Sequence, residues 1–253
     1  MRFVALLLLL LQPQSQTADW VARQIQDRDT GQDSRAEMRM RLHDRQGRVR
    51  ERTLTVDSLR NPQGDRSLLR FSYPNDIKGT GFLVWEHPGA DDERFLFLPA
   101  LGRVRRIAGA EKQESFVGSD LSYEDIGGRD LADYSYAFAD QNATWTAPDG
   151  SKHPAWALES KAIDAGAAYP RSVSLVLKDR FIVVHSDIYN QRNERAKTFD
   201  VRRMERIDGI WTVTDLVVAN QRDRTRTELA TTAIRYNTGL TANDLTRRQL
   251  EQK

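Results

Sequence analysis

His185, Ser186 and Asp187 stand side by side and are the three residue types of an acyl-transfer triad. On a strand, neighbouring side chains point to opposite faces, so these three cannot converge on one substrate. The other histidines, His43, His87 and His153, are scattered and lack the H-E-x-x-H spacing of a zinc site, so neither a metal nor any other cofactor is expected. The chain has no cysteine, which rules out a thiol nucleophile, a disulfide and acylation at a mature cysteine. No G-x-S-x-G elbow and no phosphate-cradling G-x-x-x-x-G-K-[ST] loop occurs. Carboxylates are plentiful, which leaves a paired-acid hydrolase open as a minor alternative. The main expectation is a protein that binds without catalysing.

Two sets of residues suit binding. Met38, Met40, Leu54, Phe71, Trp85, Phe97, Phe116, Tyr123, Trp145 and Trp211 could wall a lipid cavity, with flexible methionines adapting to varied ligands. They could equally be ordinary core, because any half-buried sheet needs apolar residues with period two. The second set is Arg103, Arg105 and Arg106, three cations within four residues, followed by Asp120, Glu124 and Asp125. Ion pairs between the two groups would pin a flap to the sheet, each worth ~0–1 kcal/mol if exposed. Alternatively the arginines dock an acidic headgroup or a membrane partner.

The elements that must carry these residues are mostly strands. Ala36 to His43 alternates Ala36, Met38, Met40 and Leu42 with charged residues, and Arg50 to Asp57 and Ser67 to Tyr73 repeat the pattern between polar turns. Gly81 to Glu86 and Arg94 to Leu98 are apolar at adjacent positions and should be covered on both faces. From Tyr134 to Tyr236 the alternation resumes, with turns at Pro148 to Ser151, Asp179-Arg180 and Asp208-Gly209. About eleven strands are expected in one antiparallel sheet, with a helix at Asp19 to Asp29, a flap over Phe116 to Asp125 and a closing helix at Thr241 to Glu251 capped by Thr241 or Asn243. A sheet of that size must curl, into a sandwich, a barrel or an open half-barrel.

Composition agrees with a globular chain, with 39% hydrophobic and 29% charged residues. The net charge of +2 gives no general attraction to nucleic acid. Arg2, nine apolar residues from Phe3 to Leu11 and a polar stretch ending at Ala18 form the pattern of a secretory signal peptide. Cleavage is expected after Ala18, leaving residues 19–253 as one exported, soluble domain, expected to be a monomer. An integral outer-membrane barrel is a rival, disfavoured by mid-strand charges such as Arg39, Arg41 and Arg202.

The blocks LPALGRVRRI (98–107) and SFVGSDLSYEDI (115–126), with KGTGFLVW (78–85) and GIWTV (209–213), resemble the LolA-like family of periplasmic lipoprotein-sorting proteins. The resemblance implies a curved sheet cupping an apolar cavity, with helices as its lid. It also implies a carrier of a lipid or of lipoprotein acyl chains that works between membranes, beside an RND-type exporter; an accessory protein of the exporter without lipid transfer is the alternative. The ten apolar residues named above become cavity candidates on this basis. Physically, burying a sixteen-carbon chain represents on the order of 12 kcal/mol at ~0.8 kcal/mol per CH₂. A flat apolar patch would leave much of that unrealised and would invite aggregation.

Overall fold

The computed structural model describes residues 16–128 and 130–252. Most of the expected leader, residues 1–15, lies outside the described residues. The chain opens with α1 (Ala18–Asp27), capped by the Thr17 hydroxyl, which accepts from the Trp20 amide at 3.1 Å. The helix thus begins one residue before the expected Asp19, and Ala18 is buried. A mature chain beginning at Asp19 would therefore lack both Thr17 and Ala18.

Thirteen strands follow: β1 (Asp33–His43), β2 (Val49–Leu59), β3 (Arg66–Tyr73), β4 (Gly81–Trp85), β5 (Glu93–Leu98), β6 (Arg103–Ile107), β7 (Tyr134–Thr146), β8 (Lys152–Ala162), β9 (Arg171–Leu177), β10 (Val183–Tyr189), β11 (Arg195–Ile207), β12 (Ile210–Asn220) and β13 (Thr225–Tyr236). They form one sheet in the order β6-β5-β4-β3-β2-β1-β13-β12-β11-β10-β9-β8-β7, every pair antiparallel. Among the described residues the count is thirteen rather than about eleven, and the basic knuckle itself is strand β6. Three of its five residues are exposed arginines, so RVRRI shows no apolar period and hides its pairing with β5. The sheet stays open, with β6 and β7 as its edges, whereas a sheet that spans a bilayer closes on itself. Among the described residues no helix is long and apolar enough to cross a membrane.

Topology explains the flap. β6 lies at one edge of the sheet and β7 at the other, so the connection 108–133 must cross an entire face. It crosses the inner, concave one, carrying the short helix α2 (Tyr123–Gly127). Ser122 and Asp125 form a capping box there, with reciprocal bonds of 3.0 and 2.9 Å. Phe116 is fully buried against Phe71 and Phe82, with ring centroids 5.9 and 5.4 Å away, and Tyr123 closes the group at 5.5 Å from Phe116. Asp120 ties the flap to β13: its carboxylate accepts from the hydroxyls of Thr225 and Thr227, the latter at 2.7 Å. Arg52 donates to the Val117 carbonyl at 2.6 Å and holds Val117 at φ 48°, a conformation rare for a β-branched residue.

The outer face of β3–β5 is covered by the C-terminal segment. Leu240, Leu245 and Leu250 pack on Leu68, Leu83, Phe95 and Phe97. The closing helix is shorter than expected: α3 (Arg247–Glu251), capped by Thr246. Thr241 instead bonds Asp244 through its amide and hydroxyl, each at 2.8 Å, because such side chains compete with helix for local partners. Asp33 fastens this segment, its carboxylate accepting from the Thr238 and Gly239 amides at 2.7 and 3.0 Å. β4 and β5 are thus covered on both faces, as their apolar runs require.

Candidate functional site

The flap fills only half of the concave face. Over β8–β12 it leaves a cavity of about 850 Å³, roofed by α1 and by the end of the flap. That volume lies toward the upper end of the roughly 300–1,000 Å³ of small-molecule pockets. The floor follows one pairing row, Val218–Phe199–Ser186–Ser174–Leu158, and a second, Lys197–Ile188–Ser172–Ser160. The space exists because the four inward serines are short. They satisfy one another across strands, Ser160 with Ser172 at 2.7 Å and Ser174 with Ser186, so the floor demands no polar ligand.

α1 is held over the cavity at both ends. Trp20 packs edge-on against Phe181 and Trp156, with centroids 5.5 and 6.5 Å away. At its C-terminus Arg60 donates to the carbonyls of Gln26 and Arg28 at 2.8 and 3.2 Å, a cation where the helix dipole favours one. Between these anchors Ala22 and Ile25 face the cavity.

One mouth is acidic. Glu86, Asp65, Asp92 and Asp130 line it, with Arg60 and His87. Burial, together with the charges of Asp65, Asp92 and Asp130, pushes the Glu86 carboxyl up to about 7, although Arg94 opposes this. The folded chain therefore holds that proton more tightly than the unfolded chain does. Its contribution to stability is complete below about pH 4.5 and is lost as the pH rises through about 7. Glu86→Gln is expected to flatten this fall, and thermal unfolding at pH 5 and pH 8 checks it. The variant should gain on the native chain at the higher pH by about 1 kcal/mol, because solvent reaching the partly exposed carboxyl screens much of the effect. Parallel pH profiles would refute the assignment.

At the other side of the cavity Lys197, which is buried, lies 3.5 Å from Asp125 and 4.6 Å from the centre of the Tyr169 ring. With Leu121 it separates the cavity from a smaller polar pocket of about 290 Å³ that opens at the opposite end of the strands.

None of the ten apolar candidates from the sequence lines the larger cavity. Met40, Leu54, Phe71, Phe116 and Tyr123, with Met38 at their margin, form the plug between flap and sheet. Trp85 and Phe97 lie on the opposite face, beneath the C-terminal segment, with the Trp85 indole donating to the Leu245 carbonyl at 2.9 Å. A charge at either position would disturb that segment, not the cavity. Trp145 belongs to a separate cluster with Ala155 and Leu177, and Trp211 is exposed beneath the Arg180 guanidinium at 4.1 Å. The residues that do make the cavity carried a signal, the serines alternating through S-V-S (172–174) and on to Ser186, but that signal is a lack of bulk.

Among the described residues no ion pair joins the arginine knuckle to the flap acids Asp120, Glu124 and Asp125. Arg105 pairs with Glu111 at 3.2 Å, whereas Asp120 serves threonines and Asp125 serves Ser122 and Lys197. Among the described residues Arg103 and Arg106 make no ion pair. His185 and Asp187 share the outer face, with Asp200 at 2.8 Å from Nδ1, while Ser186 points inward to Ser174. The Asp200 hydrogen bond pulls the His185 pKa up, while Ser186 lies on the other face of the sheet, out of its reach. Among the described residues no cluster of three or more His, Asp or Glu could hold a metal ion.

Residues 63–252 match a protein-family model that carries the description uncharacterized protein. No curated protein sequence matches the chain. Among solved structures, a domain from Vibrio parahaemolyticus assigned to outer-membrane lipoprotein sorting superposes with a TM-score of 0.84 at 28% identity, over 94% of this chain and 99% of that one. A DUF1329 family protein from Desulfovibrio piger superposes at 0.83 with 32% identity, over 92% of this chain and 97% of the other. A LolA superfamily protein from Nitrosomonas europaea shares the fold alone, at 0.69 with 15% identity, over 92% of this chain and 99% of that one. With an open, curved antiparallel sheet crossed by its own flap, and with this likeness along nearly its full length, the chain belongs to the DUF1329 family and has the fold of the LolA superfamily.

Proposed function

We propose that the protein is a periplasmic carrier that shields the acyl chains of a lipid or lipoprotein between membranes and delivers them toward the outer membrane. The observation that carries this reading is the cavity between α1, the flap and the serine-floored strands. Part of its wall is apolar (Ala22, Ile25, Leu131, Leu158, Val183, Ile188, Phe199 and Val218) and the serines of its floor are paired with one another, while charged residues such as Glu86, Asp92 and Lys197 line the rest. The lipoprotein-sorting assignment of the Vibrio relative supports the same cargo class. An RND-type exporter as the membrane partner, a leader ending near Ala18 and a monomeric state belong to this proposal.

The flap is the moving part in the proposed mechanism. Lifting it would join the plugged half of the concave face, with Met38, Met40, Leu54 and Phe71, to the cavity and let Phe116 and Tyr123 contact the cargo. Return of the flap would restore the aromatic plug and expel the chains to an acceptor with higher affinity.

The test is to purify the protein from the exporting cell without detergent, extract it with organic solvent and identify bound lipid by mass spectrometry, with native mass for stoichiometry. Lipid at about one equivalent is expected. A protein that comes out empty and takes up no lipid from vesicles would overturn the carrier reading.

A further inference from the structure

The strand ends of this sheet are chemically unequal. Six connections lie at one end: 44–48, 74–80, 99–102, 163–170, 190–194 and 221–224. Counted with one strand residue on each side, they carry nine Lys or Arg against five Asp or Glu. The five connections at the other end, 60–65, 86–92, 147–151, 178–182 and 208–209, carry five against eight on the same count. The net charge of +2 conceals this polarity.

Exposed apolar side chains follow the charge. Val49, Tyr73, Leu101 and Ile163, exposed by 50%, 55%, 57% and 69%, all sit at the basic end, at strand starts, strand ends or turns. At the acidic end the exposed Trp211 is capped by Arg180. Arg45, Lys78, Arg103, Arg192, Arg222 and Arg224 at the basic end are exposed, and among the described residues none of them makes an ion pair. Arginines on the edge strand β6 do blunt that edge against strand pairing. That role does not account for cations in turns remote from the edge, nor for apolar side chains left at the tips.

We propose that this basic rim is a docking surface for an anionic lipid bilayer. The unpaired cations sit at the headgroup plane while Tyr73, Leu101 and Ile163 enter the boundary beneath it. The smaller polar pocket opens on this rim, beside Arg50 and the turn at Asn220 to Thr225, and Lys197 lies between it and the main cavity. This docking goes beyond the carrier reading and does not depend on it, since vesicle binding is read without any extracted lipid.

Co-sedimentation of the protein with phosphatidylethanolamine vesicles containing phosphatidylglycerol, and with phosphatidylcholine vesicles alone, tests it. Binding to the anionic vesicles only is expected, weakening as salt is added. Arg103→Ala and Arg222→Ala should each lower the partition coefficient about fivefold, and Leu101→Ser should lower it further in the double variants. Lys152→Ala, at the acidic end, should leave it unchanged. All four side chains are exposed, and an unchanged melting temperature for each variant keeps the comparison clean. No binding to anionic vesicles, equal binding to neutral ones, or an equal loss in Lys152→Ala would overturn the proposal. Capture of polyglutamate without vesicle binding would also overturn it, in favour of an acidic protein partner.

Discussion

Phe116→Ala is expected to destabilise the protein by about 3–5 kcal/mol, lowering the melting temperature by roughly 6–20 °C. Phe116 is fully buried and is the central ring of the plug, in contact with Phe71, Phe82 and Tyr123. Truncation leaves a void that these rings cannot fill without dragging the flap, because Asp120 and Val117 are tied to β13 and to Arg52 on β2. The loss should therefore approach the full cavity cost rather than that of a surface aromatic. Thermal unfolding by circular dichroism measures it. A drop below about 1 kcal/mol would mean that the flap contributes little to the closed state, and the plug would need another explanation.

The second large effect is on cargo. Ile25→Glu puts a carboxylate on the cavity side of α1, opposite the serine floor. An acyl chain lying there would have to desolvate that charge, which costs several kcal/mol unless a partner is found. Retained lipid should fall by more than about tenfold, since ~1.4 kcal/mol already accounts for a factor of ten. Ile25 is only partly buried and α1 is anchored by Trp20 and Arg60, so the fold should survive. The readout is lipid per protein by extraction and mass spectrometry, with the melting temperature recorded alongside. Undiminished lipid in a folded variant would remove this cavity as the site. Trp85 is a useful contrast, because a charge beneath Leu245 should reduce stability without acting on the cavity.

Much of the fold was legible because antiparallel strands half-exposed to water write their faces into the chain with period two. β1, β2 and β3 show this plainly, and the apolar runs of β4 and β5 announced cover on both sides. β6 did not show it, since three of its five residues are exposed arginines. The closing helix was overdrawn because the Thr241–Asp244 turn uses helix-capping residue types for a local turn.

The candidate site was less legible. Residue type says that Phe71, Phe97, Trp145 and Phe116 are buried, but not on which side of the sheet or beneath which segment. Large aromatics fill space, and here they made the plug and the outer core. The empty volume fell where Ser160, Ser172, Ser174 and Ser186 align across β8, β9 and β10, an alignment set by the register of two successive hairpins.

By itself the sequence determined the architecture class, the family resemblance and the absence of thiol chemistry, because these rest on local patterning, motifs and composition. It also determined that His185 and Ser186 face apart, which follows from strand geometry alone. Tertiary structure decided where the cavity lies, that the flap acids bind threonines and Lys197 instead of the arginine knuckle, and that cations and bare apolar tips gather at one end of the sheet. Each of these depends on pairing order and on the single crossing from β6 to β7, which bring together residues that no local pattern connects.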